Sequence, residues 1–243
     1  MCLKLAKLPK FSAVIMDMDG LVIDSEPTYR IAWQAAGHSL GYPLTESFCK
    51  NFAGRSFDVI ETLLLEEFGN KFPLTQFKHQ SAKYWQSHVD KFGIKTKTGI
   101  IPLLETLKNH QLPFCLATNS EKHYADKCLE YAGLSNTFTN MLTRDQVRRP
   151  KPAPDIFLSA AALLKTPPQQ CVVLEDSEPG IAAAIQAQTI PIQVPDNSTV
   201  SSQPLSNTHM TVDTLNDVNR LIIGHMASIQ GLSKQGHLPS TEL

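Results

Sequence analysis

The chain has 243 residues, of which 42% are hydrophobic and 19% charged, a balance that supports a sizeable buried core and excludes a disordered, charge-rich polymer. Its 22 basic and 23 acidic residues leave a formal net charge of −1, which excludes a global field for nucleic acid or an anionic membrane, so an anion must be bound locally. There is no stretch of membrane-spanning length, no apolar signal core in MCLKLAKLPK, and an odd set of five cysteines without C-x-x-C spacing. A cytoplasmic protein in a reducing compartment is expected.

In chain order, the apolar run Phe11 to Met16 ends abruptly at Asp17, the pattern of a strand buried on both faces. It delivers Asp17-Met18-Asp19-Gly20, two carboxylates at a strand end with a glycine that permits a tight departure. Taken alone, that segment also reads as a polar turn. From about residue 27 to 92 there are helical patterns at Tyr29 to Leu40, Phe57 to Phe68 and Leu74 to Val89, with no convincing strand. An all-helical insert at this point sits over the crevice that the carboxyl ends of parallel strands form, placed to act as a lid. Tyr29 and Trp33, four apart, share a helix face. Trp33 reads as a packing residue of the lid, and Tyr29 as either packing or facing a substrate.

Beyond the insert, strands and helices alternate. A helical pattern at Ile101 to Asn109 precedes the apolar run Pro113 to Ala117, which ends in Thr118-Asn119-Ser120 before a helix at Glu121 to Tyr131. A hydroxyl and free backbone N–H groups there suit phosphate oxygens, although any of the three residues would also serve as an N-cap. Arg144, Arg148 and Arg149 read as a solvated basic loop. Lys151 stands in Pro150-Lys151-Pro152-Ala153-Pro154-Asp155, where flanking prolines stiffen the chain and aim the lysine. A helix at Pro154 to Leu164 follows. The run Cys171 to Leu174 then ends in a second acidic pair, Glu175-Asp176, ahead of a helix at Pro179 to Ala187. Pro191 to Val194, a strand-like His209 to Val212, a helix at Leu215 to Ile223 and a frayed tail at 224–243 complete the chain. The alternation predicts an α/β fold with right-handed crossovers and a parallel sheet.

In Asp17 to Glu26, Ala117-Thr118-Asn119, Lys151 to Phe157, and Val173 to Ser177 followed by Gly180, the sequence resembles the haloacid dehalogenase superfamily. The resemblance is to the subgroup of phosphatases and phosphomutases with a helical cap after the first strand, and it spans roughly residues 11 to 215. It implies a Rossmann-like core of residues 1–26 and 93–223 with an all-helical cap of residues 27–92. Carried over by motif, Asp17 would be the nucleophile and Asp19 the general acid and then base. Thr118 and the Asn119 backbone would hold phosphate, and Lys151 would neutralise charge on phosphate and Asp17. Mg2+ would be bound by the Asp17 carboxylate, the Asp19 backbone carbonyl and Asp176, with Glu175 nearby or acting through water. In the cap, Arg55 would contact the leaving group, with Tyr29 and Glu26 as further substrate-facing candidates.

The chemistry is consistent with those residue types. A carboxylate attacking a phosphate ester meets like-charge repulsion, which an oxygen-ligated divalent ion and a lysine offset. Asp19 has to be protonated to donate to the leaving alkoxide and deprotonated to activate water on the resulting aspartyl phosphate. Three positions depart from the family pattern: Pro150 replaces a glycine before the lysine, Gln188 replaces the glycine that closes the helix after the second acidic pair, and Thr98 replaces a proline before Gly99. A left-handed Gln188 would cost about 1 kcal/mol relative to glycine. The expected function is a magnesium-dependent phosphatase of small phosphomonoesters, a sugar phosphate or nucleotide-like metabolite, working as a monomer or weak dimer. The alternatives are a phosphomutase of the β-phosphoglucomutase type and a non-catalytic binding protein on the same fold. Tyr29 stands where such mutases carry a histidine, and Ala53 where they carry a lysine before the cap-loop glycine, Gly54.

Overall fold

A computed structural model describes residues 8–52, 55, 57–196 and 208–235, with side chains to residue 228. The first strand, β1 (Ala13–Met16), leads through β2 (Ile23–Asp24) into four helices, α1 (Glu26–Ser39), α2 (Glu46–Lys50), α3 (Phe57–Phe68) and α4 (Leu74–Phe92). The chain returns through β3 (Lys95–Thr96) and α5 (Ile100–Asn109) to β4 (Phe114–Ala117), α6 (Lys122–Tyr131) and β5 (Met141–Leu142). It continues with α7 (Asp155–Leu163), β6 (Cys171–Glu175), α8 (Glu178–Gln186), β7 (Ile190–Gln193), β8 (Met210–Thr211) and α9 (Leu215–Gln235).

Six strands form one parallel sheet in the order β5-β4-β1-β6-β7-β8. The chain builds outward on one side of β1 and then on the other, so the order reverses beside β1, and the carboxyl ends of β1, β4 and β6 meet at the crevice that such a reversal opens. Both faces are covered, as the continuous apolar runs require. Val14, Met16, Leu116, Val172 and Leu174 pack against Leu103 and Leu107 of α5, Leu129 of α6 and Leu221 of α9. Ala13, Ile15, Cys115, Ala117 and Val173 point the other way, against Ile156, Phe157 and Ala160 of α7 and Ala183 and Ala184 of α8.

The helical cap stands between β2 and β3, which pair antiparallel through Ile23 with Thr96 and Asp24 with Lys95. Neither short strand is visible as a hydrophobic run; each is held by its partner. The cap has its own cluster of Trp33, Phe52, Ile60, Leu64, Phe72 and Phe77, whereas Ala32, Trp85 and Val89 on its inner side belong to the cluster of the sheet. Trp33 therefore packs, as its spacing predicts. Cys49, Cys115, Cys128 and Cys171 are buried and free, and burial pushes the thiol of each above its ordinary range.

Four helices of the core end alike. After α5, α6, α7 and α8 the next backbone N–H groups turn back onto the last turn, as in Leu112 N to Leu107 O and Thr189 N to Ala184 O, a Schellman arrangement that needs one left-handed residue. Glycine supplies it only after α6, at Gly133; elsewhere Gln111, Lys165 and Gln188 adopt φ of 53°, 52° and 57°. Helix α9 continues to Gln235, well past the Ile223 at which the sequence pattern fades, and residues 236–243 lie outside the described set. Among the described residues no helix is long and apolar enough to cross a membrane.

Candidate active site

Asp17 leaves β1 with its N–H bonded to Leu174 O of the neighbouring strand at 3.1 Å. The chain then turns sharply: the N–H groups of Val22 and Ile23 both reach Met18 O, and Gly20 adopts φ of 81°. A Cβ on Gly20 would also collide with the Asp176 carboxylate. Glycine is needed there both for backbone conformation and for the close approach of two acidic segments.

Lys151 ties three strand ends together. Its ammonium donates to Asp17, to Ala117 O at 2.8 Å and to Glu175 Oε1 at 2.6 Å, which uses all three of its protons. Its side chain is only 3% exposed. Burial alone would strip the proton, but the Asp17 and Glu175 carboxylates outweigh it and hold Lys151 above its ordinary pKa. The Asn119 side chain fixes this segment by accepting from Lys151 N at 3.0 Å and donating to Lys151 O at 3.2 Å. Pro150 is not among the positive-φ residues, so the missing glycine does not keep the lysine from Asp17.

The Thr118-Asn119-Ser120 segment caps nothing, which removes its plainer reading. Helix α6 has Glu121 as its N-cap residue with no side-chain cap bond, and the N–H of Lys122 is taken by Asp145 from another loop at 3.0 Å. Thr118 is buried and accepts from Ser120 N. Ser177, in contrast, does cap α8 by accepting from Gly180 N. The fully buried Glu175 lies against that same helix start, accepting from Ser177 N at 3.2 Å and Ser177 Oγ at 2.9 Å through Oε2. The helix N-terminus favours this negative charge, and a Cβ on Gly180 would occupy the space of the carboxylate.

Asp17, Glu175 and Asp176 offer carboxylate oxygens that all lie within 4.8 Å of one another. Burial, with the neighbouring carboxylates adding to it and Lys151 opposing, raises Asp17 to about 7. Burial and then Glu175, Asp17 and Asp196 push Asp176 well above the usual carboxylate range. Among the described residues Lys151 is the cation that pairs within this group, and the carboxylates outnumber it. A hard divalent cation with oxygen ligands, such as Mg2+, fits this donor set. Glu175 has both oxygens engaged already, leaving Asp17 and Asp176 as the less encumbered donors.

Asp196 is the acid that sequence reasoning missed. It is 2% exposed, follows β7, and pairs with Lys97 at 2.8 Å, which also approaches Asp24 at 3.7 Å. The signal available was another polar residue directly after an apolar run, Val194-Pro195-Asp196.

Asp19 is set apart from the lysine cluster. It accepts from Ser25 Oγ at 2.6 Å and Ser120 Oγ at 3.0 Å, and burial raises its pKa although both serines oppose the shift. Tyr29 is half-buried on α1, stacked between Trp33 and Trp85 at centroid distances of 5.5 and 5.6 Å, with its hydroxyl on that of Tyr124 from α6. Glu26 opens α1 and is half-buried. Arg55 is exposed between α2 and α3, and its neighbours Ala53, Gly54 and Ser56 lie outside the described residues. In the basic loop, Arg149 pairs with Asp155 at 2.7 Å and is largely solvated.

Comparison with known proteins bears on the family and the fold. The family model for haloacid dehalogenase-like hydrolases matches residues 11–188. A phosphorylated carbohydrates phosphatase of Thermotoga maritima is 33% identical over 178 residues, covering 72% of this chain and 81% of that protein. A β-phosphoglucomutase of Bacillus subtilis is 29% identical over 177 residues, covering 70% of this chain and 77% of that protein. Among solved structures, a HAD hydrolase, family IA, variant 3, of Entamoeba histolytica is 27% identical with a TM-score of 0.70 over 88% of this chain and all of that one. From its motifs, its sheet order and the extent of the family match, the chain belongs to the haloacid dehalogenase-like hydrolases.

Proposed function

We propose that the protein is a magnesium-dependent phosphatase that hydrolyses small phosphomonoesters, sugar phosphates foremost, through an aspartyl phosphate on Asp17. The observation that carries this reading is the buried Asp17–Lys151–Glu175 cluster beside Asp176 at the strand-order reversal. An Asp17 oxygen attacks phosphorus as the ester P–O bond breaks, and Asp19 passes its proton to the departing alkoxide. The deprotonated Asp19 then takes a proton from water as that water attacks phosphorus, which breaks the bond to Asp17 and releases phosphate. Thr118 and the Asn119 N–H hold phosphate oxygens, and Lys151 neutralises charge on phosphate and nucleophile. Asp17, the Asp19 carbonyl and Asp176, with Glu175 nearby, would hold Mg2+, which would supply charge neutralisation for two anions brought into contact. Arg55, on the cap, contacts the leaving group.

The mutase reading uses the same aspartyl phosphate but has to keep water from it. Tyr29, where the resembling mutases carry a histidine, is engaged with Tyr124, Trp33 and Trp85, which favours water as the acceptor. A panel of phosphorylated metabolites with magnesium, scored for free phosphate, tests the proposal, and release from one or more sugar phosphates is expected. With β-glucose 1-phosphate and a trace of the bisphosphate, glucose 6-phosphate accumulating much faster than phosphate would replace it with the mutase. On Arg55→Ala the ranking of natural substrates should change more than the rate on an aryl phosphate; equal losses on every ester would remove Arg55 from the leaving-group site.

A further inference from the structure

The two serines that hold Asp19 come from different parts of the fold. Ser25 is the N-cap residue of α1, the first cap helix, and Ser120 lies in the loop that leads from β4 into α6 of the core. Each stands four residues before a tyrosine, Tyr29 on α1 and Tyr124 on α6, and the two tyrosine hydroxyls bond each other. A closed ring results: Asp19 to Ser25, along the first turn of α1 to Tyr29, across to Tyr124, back along the first turn of α6 to Ser120, and so to Asp19.

The ring is buttressed on the cap side. Trp85 of α4 lies near both tyrosines, at 5.6 Å from the Tyr29 ring and 5.9 Å from that of Tyr124. Its indole N–H donates to Thr28 Oγ1 at 3.0 Å, and Thr28 Oγ1 donates to Ser25 O at 2.6 Å. Burial, with the Asp19 charge contributing, raises both phenols above their ordinary range, so both keep their protons and remain able to donate.

We infer that Tyr124 and Tyr29 together are positioning residues for the general acid: their bond clamps the first turns of α1 and α6 so that Ser25 and Ser120 hold Asp19 for proton transfer. This rests on the phosphatase reading, in which Asp19 donates to the leaving group. Two serines at the starts of helices that were not tied to each other would leave the carboxyl loosely placed, and a small misplacement of a reacting group is costly.

The test compares phosphoryl transfer to the enzyme from two esters by rapid quench: an alkyl phosphate that the wild type hydrolyses, and p-nitrophenyl phosphate. An alkoxide needs a proton as it leaves; nitrophenolate does not. In Tyr124→Phe the ratio of the nitrophenyl rate to the alkyl rate should rise roughly tenfold or more at saturating substrate, with KM for the alkyl ester little changed. The double variant Tyr29→Phe/Tyr124→Phe should be no slower than either single one, because the hydroxyls act as one unit. Should Tyr124→Phe fail to fold, Tyr29→Phe carries the same expectation. Equal slowing on both esters, an unchanged ratio, or multiplicative losses in the double variant would overturn the clamp. Wild-type enzyme that accepts phosphate from neither ester would overturn the phosphatase reading itself.

Discussion

At the carboxyl edge of the sheet, Lys151, Asp17 and Glu175 interlock through charge with the lysine side chain 3% exposed and Glu175 sealed completely. The cap is built from rings instead: Phe52 meets Trp33 and Phe48 edge-on, and Tyr42 meets Phe68 and Phe72 in the same way. Charge burial is expensive and is sustained only where each group has its partner, so the sheet edge tolerates few residue types at few positions. Aromatic packing is held by area and approximate shape, so many sequences can build the same cap. On the proposed function, chemistry belongs to the sheet edge and selection of the leaving group to the more permissive cap.

The sharpest way to break this contrast is Asp17→Asn, which keeps the volume and removes the proposed nucleophile. Turnover should fall at least ~10³-fold, while the thermal unfolding midpoint holds or rises because a buried charge is gone. Near-normal steady-state phosphate release from this variant would contradict covalent catalysis by Asp17.

Lys151→Met removes the one cation from the cluster and leaves Asp17 and Glu175 facing each other. A loss of about 3–5 kcal/mol is expected from such an uncompensated burial, read by urea denaturation. A comparable loss from Phe52→Ala in the cap should come without any change in the response of stability to pH, since only packing is removed. If Lys151→Met is no less stable than wild type, the cluster is not held by charge.

A smaller effect separates the regions by pH. Asp17, Asp19 and Asp176 have raised carboxyl pKa values in the folded protein, so between the unfolded value of 3.8 and the folded values the native state binds more protons than the unfolded one. Their contribution is then full at low pH and is lost as pH rises through the folded values, near 7 for Asp17. Lys151 stays charged throughout. With magnesium chelated, the midpoint should therefore be higher near pH 5 than near pH 7.5, by roughly 2–4 °C for each kcal/mol involved. Saturating magnesium should shrink the difference by stabilising the ionised form. A chelated protein that gains stability across the same rise in pH would refute the raised carboxylates.

The least of these effects lies away from the site. Gln188 takes the left-handed position after α8 with φ of 57°, and Gln188→Gly should stabilise the fold by about 0.5–1 kcal/mol. Its exposed side-chain bond with Gln169 at 3.2 Å contributes too little to reverse the sign. No gain in the denaturation midpoint would mean that the turn is relaxed as it stands.

The polar groups gathered at the sheet edge were legible because each follows an apolar run with the pattern of a strand buried on both faces. Asp17, Thr118, Glu175 and Asp176 are polar interruptions at the same relative place, and a parallel sheet brings such ends to one edge. Lys151 was legible through its prolines. What escaped was whatever depends on a partner distant in sequence. Asp196 is marked only by following one more apolar run, and its pairing with Lys97 spans 99 positions. The strands β2 and β3 are two residues each, too short to show a period. Tyr124 stands in a helix of ordinary polarity, and nothing in its neighbourhood announces that Tyr29 will meet it.

By itself, then, the order of residues determined where strands stop and which groups stand at their ends, because burial on two faces permits little besides an apolar run, and a charge at its end is conspicuous. Only the tertiary structure decided which of those groups share a proton, a lysine or a serine. Asn119 grips the Lys151 segment instead of capping a helix, Glu175 spends both oxygens on Lys151 and Ser177, and Asp19 is held by the cap and the core together. Hydrogen bonds act over about 3 Å, and no local pattern records which side chains a fold brings that close.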